Sequence, residues 1–346
     1  MTRSQNSAAA TVDYSSADGS ATQRTDYQFA TGRLTFAPGQ TSRSITVLIN
    51  EDGYAEGIET LTLTLSNPTG GVLGPQSSTT VSINDNETSP SSTNPIDDPG
   101  TFVCQQYHDF LNRQAEPEGQ AYWTNEITKC GSDQQCIRNR RVGVSAAFFI
   151  EQEFQDTGSF TYLIYKDLLG RRPTYVEFMT DRNRLHAGTN LTADQLALAE
   201  DFVQRSEFVA KYPLSQNASQ FVDAVIQTVN TSSGVDLTSK QAELITEYNG
   251  GSSQTNSRAR VTVKVVGYTE VEQAEFTRGF VLAEYFGYLR RDAEQGGYDF
   301  WVNVIDNREP GNYRGMVCAF ITSQEYQERF GAIVTHSNSE CPSIGP

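Results

Sequence analysis

Ten residues recur in one order 178 positions apart. Phe102, Tyr107, Phe110, Leu111, Arg113, Ala115, Glu116, Gly119, Tyr122 and Trp123 are matched by Phe280, Tyr285, Tyr288, Leu289, Arg291, Ala293, Glu294, Gly297, Phe300 and Trp301. A chain with such self-similarity must stack like units, because one unit alone cannot bury its apolar face. Phe160, Tyr165, Leu168, Leu169 and Arg171 form another copy, and Phe221, Ile226 and Val229 a worn one. Each copy closes on glutamate followed by an aromatic: Glu153-Phe154, Glu207-Phe208, Glu247-Tyr248 and Glu325-Tyr326. The spacing within a copy is helical, since Val103, Tyr107, Phe110 and Leu111 share one face. Residues 102–334 therefore read as an all-α domain of four degenerate repeats, each of roughly sixty residues. Thr192 with Gln195, Thr238 with Gln241 and Thr269 with Glu272 have the spacing of capping boxes at helix starts. Val261, Val263 and Val265 alternate as a strand would, but their place in the repeat makes them helix.

The first 88 residues follow another period. Val12 and Tyr14, Leu34 and Phe36, Ile45 with Val47 and Ile49, Leu61 with Leu63 and Leu65, and Val81 with Ile83 alternate with polar residues. Asp18-Gly19, Pro38-Gly39, Asp52-Gly53, Asn67-Pro68 and Gly70-Gly71 punctuate these runs as turns. The reading is an antiparallel β-sandwich, followed at 89–101 by a linker rich in Pro, Ser and Asp and at 335–346 by a tail.

Charge excludes some functions. With 26 Lys and Arg against 42 Asp and Glu, the surface repels nucleic acid and anionic lipid, whose binding needs clustered cations. No apolar run approaches the ~18 residues of a membrane span. Met1–Ala10 shows neither the basic nor the apolar region of a secretory signal. Three histidines, His108, His186 and His336, sit in no metal or nucleophile pattern. His108, beside Asp109, reads as an exposed helical residue. No carboxylate pair lies in a recognisable hydrolase motif, so catalysis is not expected.

The front segment resembles a Calx-β domain, the sandwich of sodium/calcium exchangers, integrin β4 and bacterial surface proteins. The resemblance is carried by Ala10–Tyr14, Ala17–Ala21, Asp26-Tyr27, Gly32–Gln40, Glu56–Thr60 and Leu65–Gly71. The family's first strand and most of its next, which should precede Ala10, have no counterpart. The resemblance thus implies a partial immunoglobulin-like sandwich whose missing strands lie upstream or come from another chain. Phe102–Trp123, Val144–Phe149, Tyr165–Pro173 and Ala319–Gly331 resemble a helical domain of unknown function from large bacterial surface proteins. The repeats are also weakly similar to the helical domain of phycobilisome linker polypeptides. Both likenesses imply assembly or attachment rather than catalysis.

Glu51, Asp52, Glu56 and Glu59 crowd one turn, and like charges so close repel unless a cation lies among them. Ca²⁺ takes six to eight oxygens without histidine or cysteine. The resemblance implies a Ca²⁺ site of Asp26, Glu51, Asp52, Glu56, Glu59, Asp85 and Glu87, of an affinity typical of extracellular modules. Ile58 stands where the family often has an acid. The other reading is a solvated acidic turn that keeps the domain soluble. Cys130 and Cys136 enclose too few potential ligands for zinc and read as a small disulfide loop, which implies an oxidising compartment. Cys104, Cys318 and Cys341 are an odd set whose pairing the sequence does not assign, isolated thiols being the plainest reading. Trp123 and Trp301, with Tyr122 and Phe300, read as core, or as sugar-stacking faces.

The sequence therefore describes a secreted or cell-surface structural or attachment protein, non-catalytic, with a weak Ca²⁺ site and a helical assembly module. Its expected partners are proteins, itself or surface glycans. A carbohydrate-binding adhesin is the alternative, and a cryptic hydrolase a more distant one.

Overall fold

The computed structural model describes residues 1–188 and 190–341. They form two compact units, one of Met1–Ile150 with Glu284–Pro346, the other Glu151–Ala283.

The first unit opens with β1 (Ala10–Asp18), β2 (Thr31–Phe36), β3 (Ile58–Thr69) and β4 (Ser78–Asn84). They make one antiparallel sheet in the order β2-β1-β3-β4. The period-two pattern sets the register: Val12 faces Leu34, Tyr14 faces Leu65 and Leu61 faces Val81. Leu61 of β3 packs with Ala21 and Tyr27 of the β1–β2 loop, and Leu63, Val81 and Ile83, at alternate strand positions, and Val47 pack against them.

The expected strand at Ile45–Ile49 is absent as a ladder. This segment bonds only to the residues around Tyr27, through Gln28 N to Leu48 O at 2.8 Å and Asn50 N to Asp26 O at 3.0 Å. Only one such contact line exists among the described residues, and a strand needs a partner along its length. Val47 of this segment nevertheless packs on the core of the sheet. The N-terminal arm returns onto its start, where Arg3 N donates to Thr41 O and Arg43 N to Met1 O.

Residues 89–101 are more than a spacer. Asn94 and Ile96 are buried, Asn94 Nδ2 donates to the carbonyls of Gln327 and Ile333, and Arg141 donates to that of Ile96. Helix α1 (Pro99–Gln106) begins here, with Asp98 accepting from Thr101 N. It runs into a π-helical turn, Tyr107–Leu111, which Asn112 closes in the left-handed conformation. Helices α2 (Pro117–Thr128) and α3 (Gln134–Ile150) follow.

The second unit holds α4 (Gln152–Phe154), α5 (Phe160–Leu169), α6 (Tyr175–Arg182), α7 (Leu191–Phe202) and α8 (Ser206–Lys211). It continues with α9 (Ala218–Ser233), α10 (Gln241–Asn249), α11 (Gln254–Val266) and α12 (Thr269–Glu284). The alternating valines are helical, and Val261 and Val265 of α11 are fully buried. The boxes expected at Thr192 and Thr238 do not form, and Thr269 is the first residue of α12. Thr192 already lies within α7, whose cap is Asn190. The boxes found are Thr174 with Glu177, Asn217 with Gln220 and Ser337 with Glu340.

The chain re-enters the first unit with α13 (Gln295–Asn303), α14 (Tyr313–Ile321) and α15 (Gln324–Gln327). Residues related by 178 positions share conformation. Tyr285–Leu289 is again a π-helical turn, and Arg290, like Asn112, is left-handed, with φ of 51° against 50°. Arg113 lies over Tyr107 and pairs with Glu116, as Arg291 lies over Tyr285 and pairs with Glu294. A Cβ on Gly119 or Gly297 would meet Tyr107 Oη or Tyr285 Oη at 2.3 Å.

Cys130 and Cys136 are disulfide-bonded as expected. Cys318 and Cys341, read as isolated thiols, are bonded too; the 23-residue separation hid that the tail folds back onto α14. Cys104 is free and half-buried.

Candidate metal centre

Two connections at one end of the sheet bring carboxylates together. Asp26 lies within the loop between β1 and β2, and Glu51, Asp52 and Glu56 lie between the extended segment and β3. One oxygen from each of Asp26, Asp52 and Glu56 lies within 4.8 Å of the others. Asp26 is 5% exposed. Its Oδ2 accepts from Thr22 N at 2.6 Å, while its Oδ1 is buried with no hydrogen-bond partner. An orphaned buried carboxylate oxygen is costly unless something occupies its lone pairs.

The electrostatics agree with the geometry. Burial pushes the Asp52 carboxyl up to about 7, and the charges of Glu56, Asp26 and Glu87 push the same way. Burial likewise raises Glu56 to about 7, helped by Asp26, Glu59 and Asp85. Glu59 and Glu87 are raised as well, first by burial. Mutual repulsion of this kind is what a divalent cation relieves.

Asp85 behaves differently. Its Oδ2 accepts from Glu56 N at 2.6 Å and Gly57 N at 2.9 Å, and its Oδ1 from Glu87 N. Those amides lower its carboxyl to about 2. Asp85 therefore pins the turn that presents Glu56. Asn86 Nδ2 reaches Glu87 Oε1 at 3.0 Å. Of the seven acids that sequence singles out, Asp26, Asp52 and Glu56 form the cluster. Glu51, Glu59, Asp85 and Glu87 line the same cleft, whose volume is about 430 Å³.

The opposite wall comes from the helices. Gly100, Thr101, Cys104, Gln105 and His108 of α1 and its π-helical turn line that cleft. His108 is buried, contrary to the exposed position expected of it. The π-helical turn shifts residues beyond Gln106 off an α-helical phase, so a helical wheel misplaces it. Burial lowers the His108 imidazole and raises the Cys104 thiol, so both are held neutral.

Asn50, which sequence reasoning missed, joins wall and loops. Its Nδ2 donates to Thr25 O, and its Oδ1 accepts from Arg290 Nη2 at 3.1 Å and Gln105 Nε2 at 3.4 Å. An asparagine beside an acidic run reads only as a turn residue, so no signal marked it.

A Calx-beta domain family model matches residues 1–87, so this segment is similar to Calx-beta domains. Similar solved structures include the apo-form Calx CBD1 domain, 31% identical over 25% of this chain and 76% of that one, with a TM-score of 0.24. The calcium binding domain CBD12 of CALX1.1 is 33% identical over 24% of this chain and 36% of its own, with a TM-score of 0.24. CBD12 from CALX1.2 is 32% identical over 24% and 34%, again at 0.24. This chain thus spans about a third of the CBD12 chains. No curated protein matches it.

Proposed function

We propose, from the match of residues 1–87 to the Calx-beta domain model, that this segment is a Ca²⁺-binding module in a non-catalytic structural or attachment protein. The observation that carries the reading is the buried, unpartnered Oδ1 of Asp26, on a carboxylate that clusters with those of Asp52 and Glu56. Carboxylates are the hard donors Ca²⁺ selects, and further oxygens of Glu51, Glu59 and Glu87 stand in the same cleft for a flexible coordination shell. When bound, the ion supplies positive charge that neutralises the cluster; Asp26, Asp52 and Glu56 hold it, and Asp85 fixes the turn between them.

The two disulfides support a secreted or cell-surface setting, because such bonds persist in oxidising compartments. No helix among the described residues is long and apolar enough to cross a membrane. The helical repeats, by their resemblance to surface-protein and phycobilisome-linker domains, serve assembly with proteins or with further copies of the chain. Calorimetric titration of the full chain tests the ion site: Ca²⁺ should bind with a Kd of roughly 10⁻⁴ to 10⁻³ M, and Asp26→Asn should abolish the heat. An equal heat from that variant would overturn the reading.

A carbohydrate-binding role has one favourable observation. Tyr122 and Phe300, at equivalent positions, are exposed, while Trp123 and Trp301 pack against Phe148 and Phe320. Glycan-array binding lost in Tyr122→Ala with Phe300→Ala would establish it, and an array without binders would remove it.

A further inference from the structure

Arg290 stands out on three counts. It is a non-glycine residue in the left-handed region, where its counterparts in two other copies are Asn112 and Gly170. A side chain with a Cβ is sterically disfavoured there, and such departures cluster where function requires them. Its guanidinium is fully buried. Above all, it reaches the two loops that carry Asp26 and Asp52.

Arg290 Nη1 donates to Gln23 O at 2.8 Å and Tyr27 O at 2.9 Å, on either side of Asp26. Its Nη2 donates to Asn50 Oδ1, two residues before Asp52. Asp109 balances the charge by accepting from Arg290 at 3.0 Å and from Arg329 at 3.0 and 3.2 Å. Arg329 Nε in turn holds Arg24 O at 3.1 Å. On the far side of Asp52, Gly53 N donates to Phe330 O at 2.8 Å and Tyr54 Oη to Glu328 O at 3.0 Å. Residues flanking both Asp26 and Asp52 are therefore held by the helical part of the unit.

We infer that Arg290, braced by Asp109 and Arg329, is a positioning residue for the metal centre, so that helical docking and Ca²⁺ binding are thermodynamically coupled. This rests on the Ca²⁺ reading above. Only the planar fork of arginine reaches two carbonyls and one amide oxygen at once. With the fork removed, the loops keep their acids but lose the spacing that gathers three oxygens within 4.8 Å. Coupling is reciprocal, so a cation gathered by Asp26 and Asp52 must also tighten the helical contacts. A surface protein would thereby stiffen the joint between sheet and helices when extracellular Ca²⁺ rises.

The test uses the full chain and CaCl₂. In titration calorimetry, Arg290→Met should raise the Kd by about tenfold or more, and Arg290→Lys should recover only part of it. Arg171→Gln, which removes a guanidinium of the second unit that pairs with Glu177 and Glu207, should leave the Kd unchanged. In wild-type protein, Ca²⁺ should slow amide exchange in peptides spanning 285–291 and 325–331, and not in 165–171. If Arg290→Met does not fold, the exchange experiment decides alone. Wild-type binding with no slowing in those peptides, or with an unaltered Kd in folded Arg290→Met, overturns the coupling and leaves the Ca²⁺ reading standing. Absence of any wild-type binding removes both.

Discussion

Asp52 and Glu56 are the residues through which pH should act on the sandwich. Both have carboxyls raised to about 7, well above the ~4 of an unfolded chain. A raised carboxyl favours the folded state below its unfolded value and loses that contribution as pH rises through the folded one. In chelator, stability attributable to these groups should therefore decline between about pH 4 and pH 7. Asp52→Asn with Glu56→Gln should flatten that decline. Thermal melts at pH 5 and pH 8 measure it, and an equal decline in wild type and double variant would show that the cluster is not the source. Because protons compete for the same oxygens, Ca²⁺ affinity should rise over the same interval.

Asp109 is a second residue with a definite forecast. Burial opposes its charge, but Arg329 and Arg290 outweigh burial and hold the carboxyl below its usual range. Asp109→Ala would leave two buried guanidiniums without their counterion, at a cost of about 3–5 kcal/mol. Urea denaturation of the full chain reads this directly, and a loss under about 1 kcal/mol would mean that water already screens the cluster. The acids themselves were legible in sequence, because crowding of carboxylates on one turn has few physical meanings. Arg290 and Asn50 were not legible, since their importance lies in contacts with residues more than two hundred positions away along the chain.

At the scale of elements, the period of the apolar pattern carried most of the information. The alternation at Val12, Leu34, Leu61 and Val81 became a paired sheet, and the i, i+4 and i+7 stripe from Val103 became a buried helical face. The pattern misled where it lacked partners. Ile45–Ile49 alternates correctly, yet an extended segment becomes a ladder only beside another one. The Cys318–Cys341 bond escaped for a related reason, because pairing depends on where the tail returns and not on spacing. Peptide mapping without reductant should find Cys130 with Cys136, Cys318 with Cys341, and a free thiol at Cys104. From loop length the second bond contributes roughly 3 kcal/mol in the chain-entropy account. The repeat makes its own forecast. Gly119→Ala and Gly297→Ala meet the same tyrosine oxygen at the same distance, so each should destabilise by a similar amount, about 1–3 kcal/mol. Clearly unequal losses in paired thermal melts would mean that the two copies have diverged in packing.

At the scale of the whole molecule, an acidic chain with net charge −16 concentrates unrelieved repulsion at one cleft and braces that cleft with buried arginines. A cation that binds only the folded protein stabilises it by mass action, by about 2.7 kcal/mol at a hundredfold excess over Kd. The most direct measurement is the unfolding of the full chain, followed through the β-sheet signal, in chelator and in excess Ca²⁺. A Ca²⁺ centre built on Asp26 requires a higher midpoint in Ca²⁺ that disappears in Asp26→Asn. Superimposable curves for the wild type in the two conditions would contradict it, and the acidic turn would then be solvated charge.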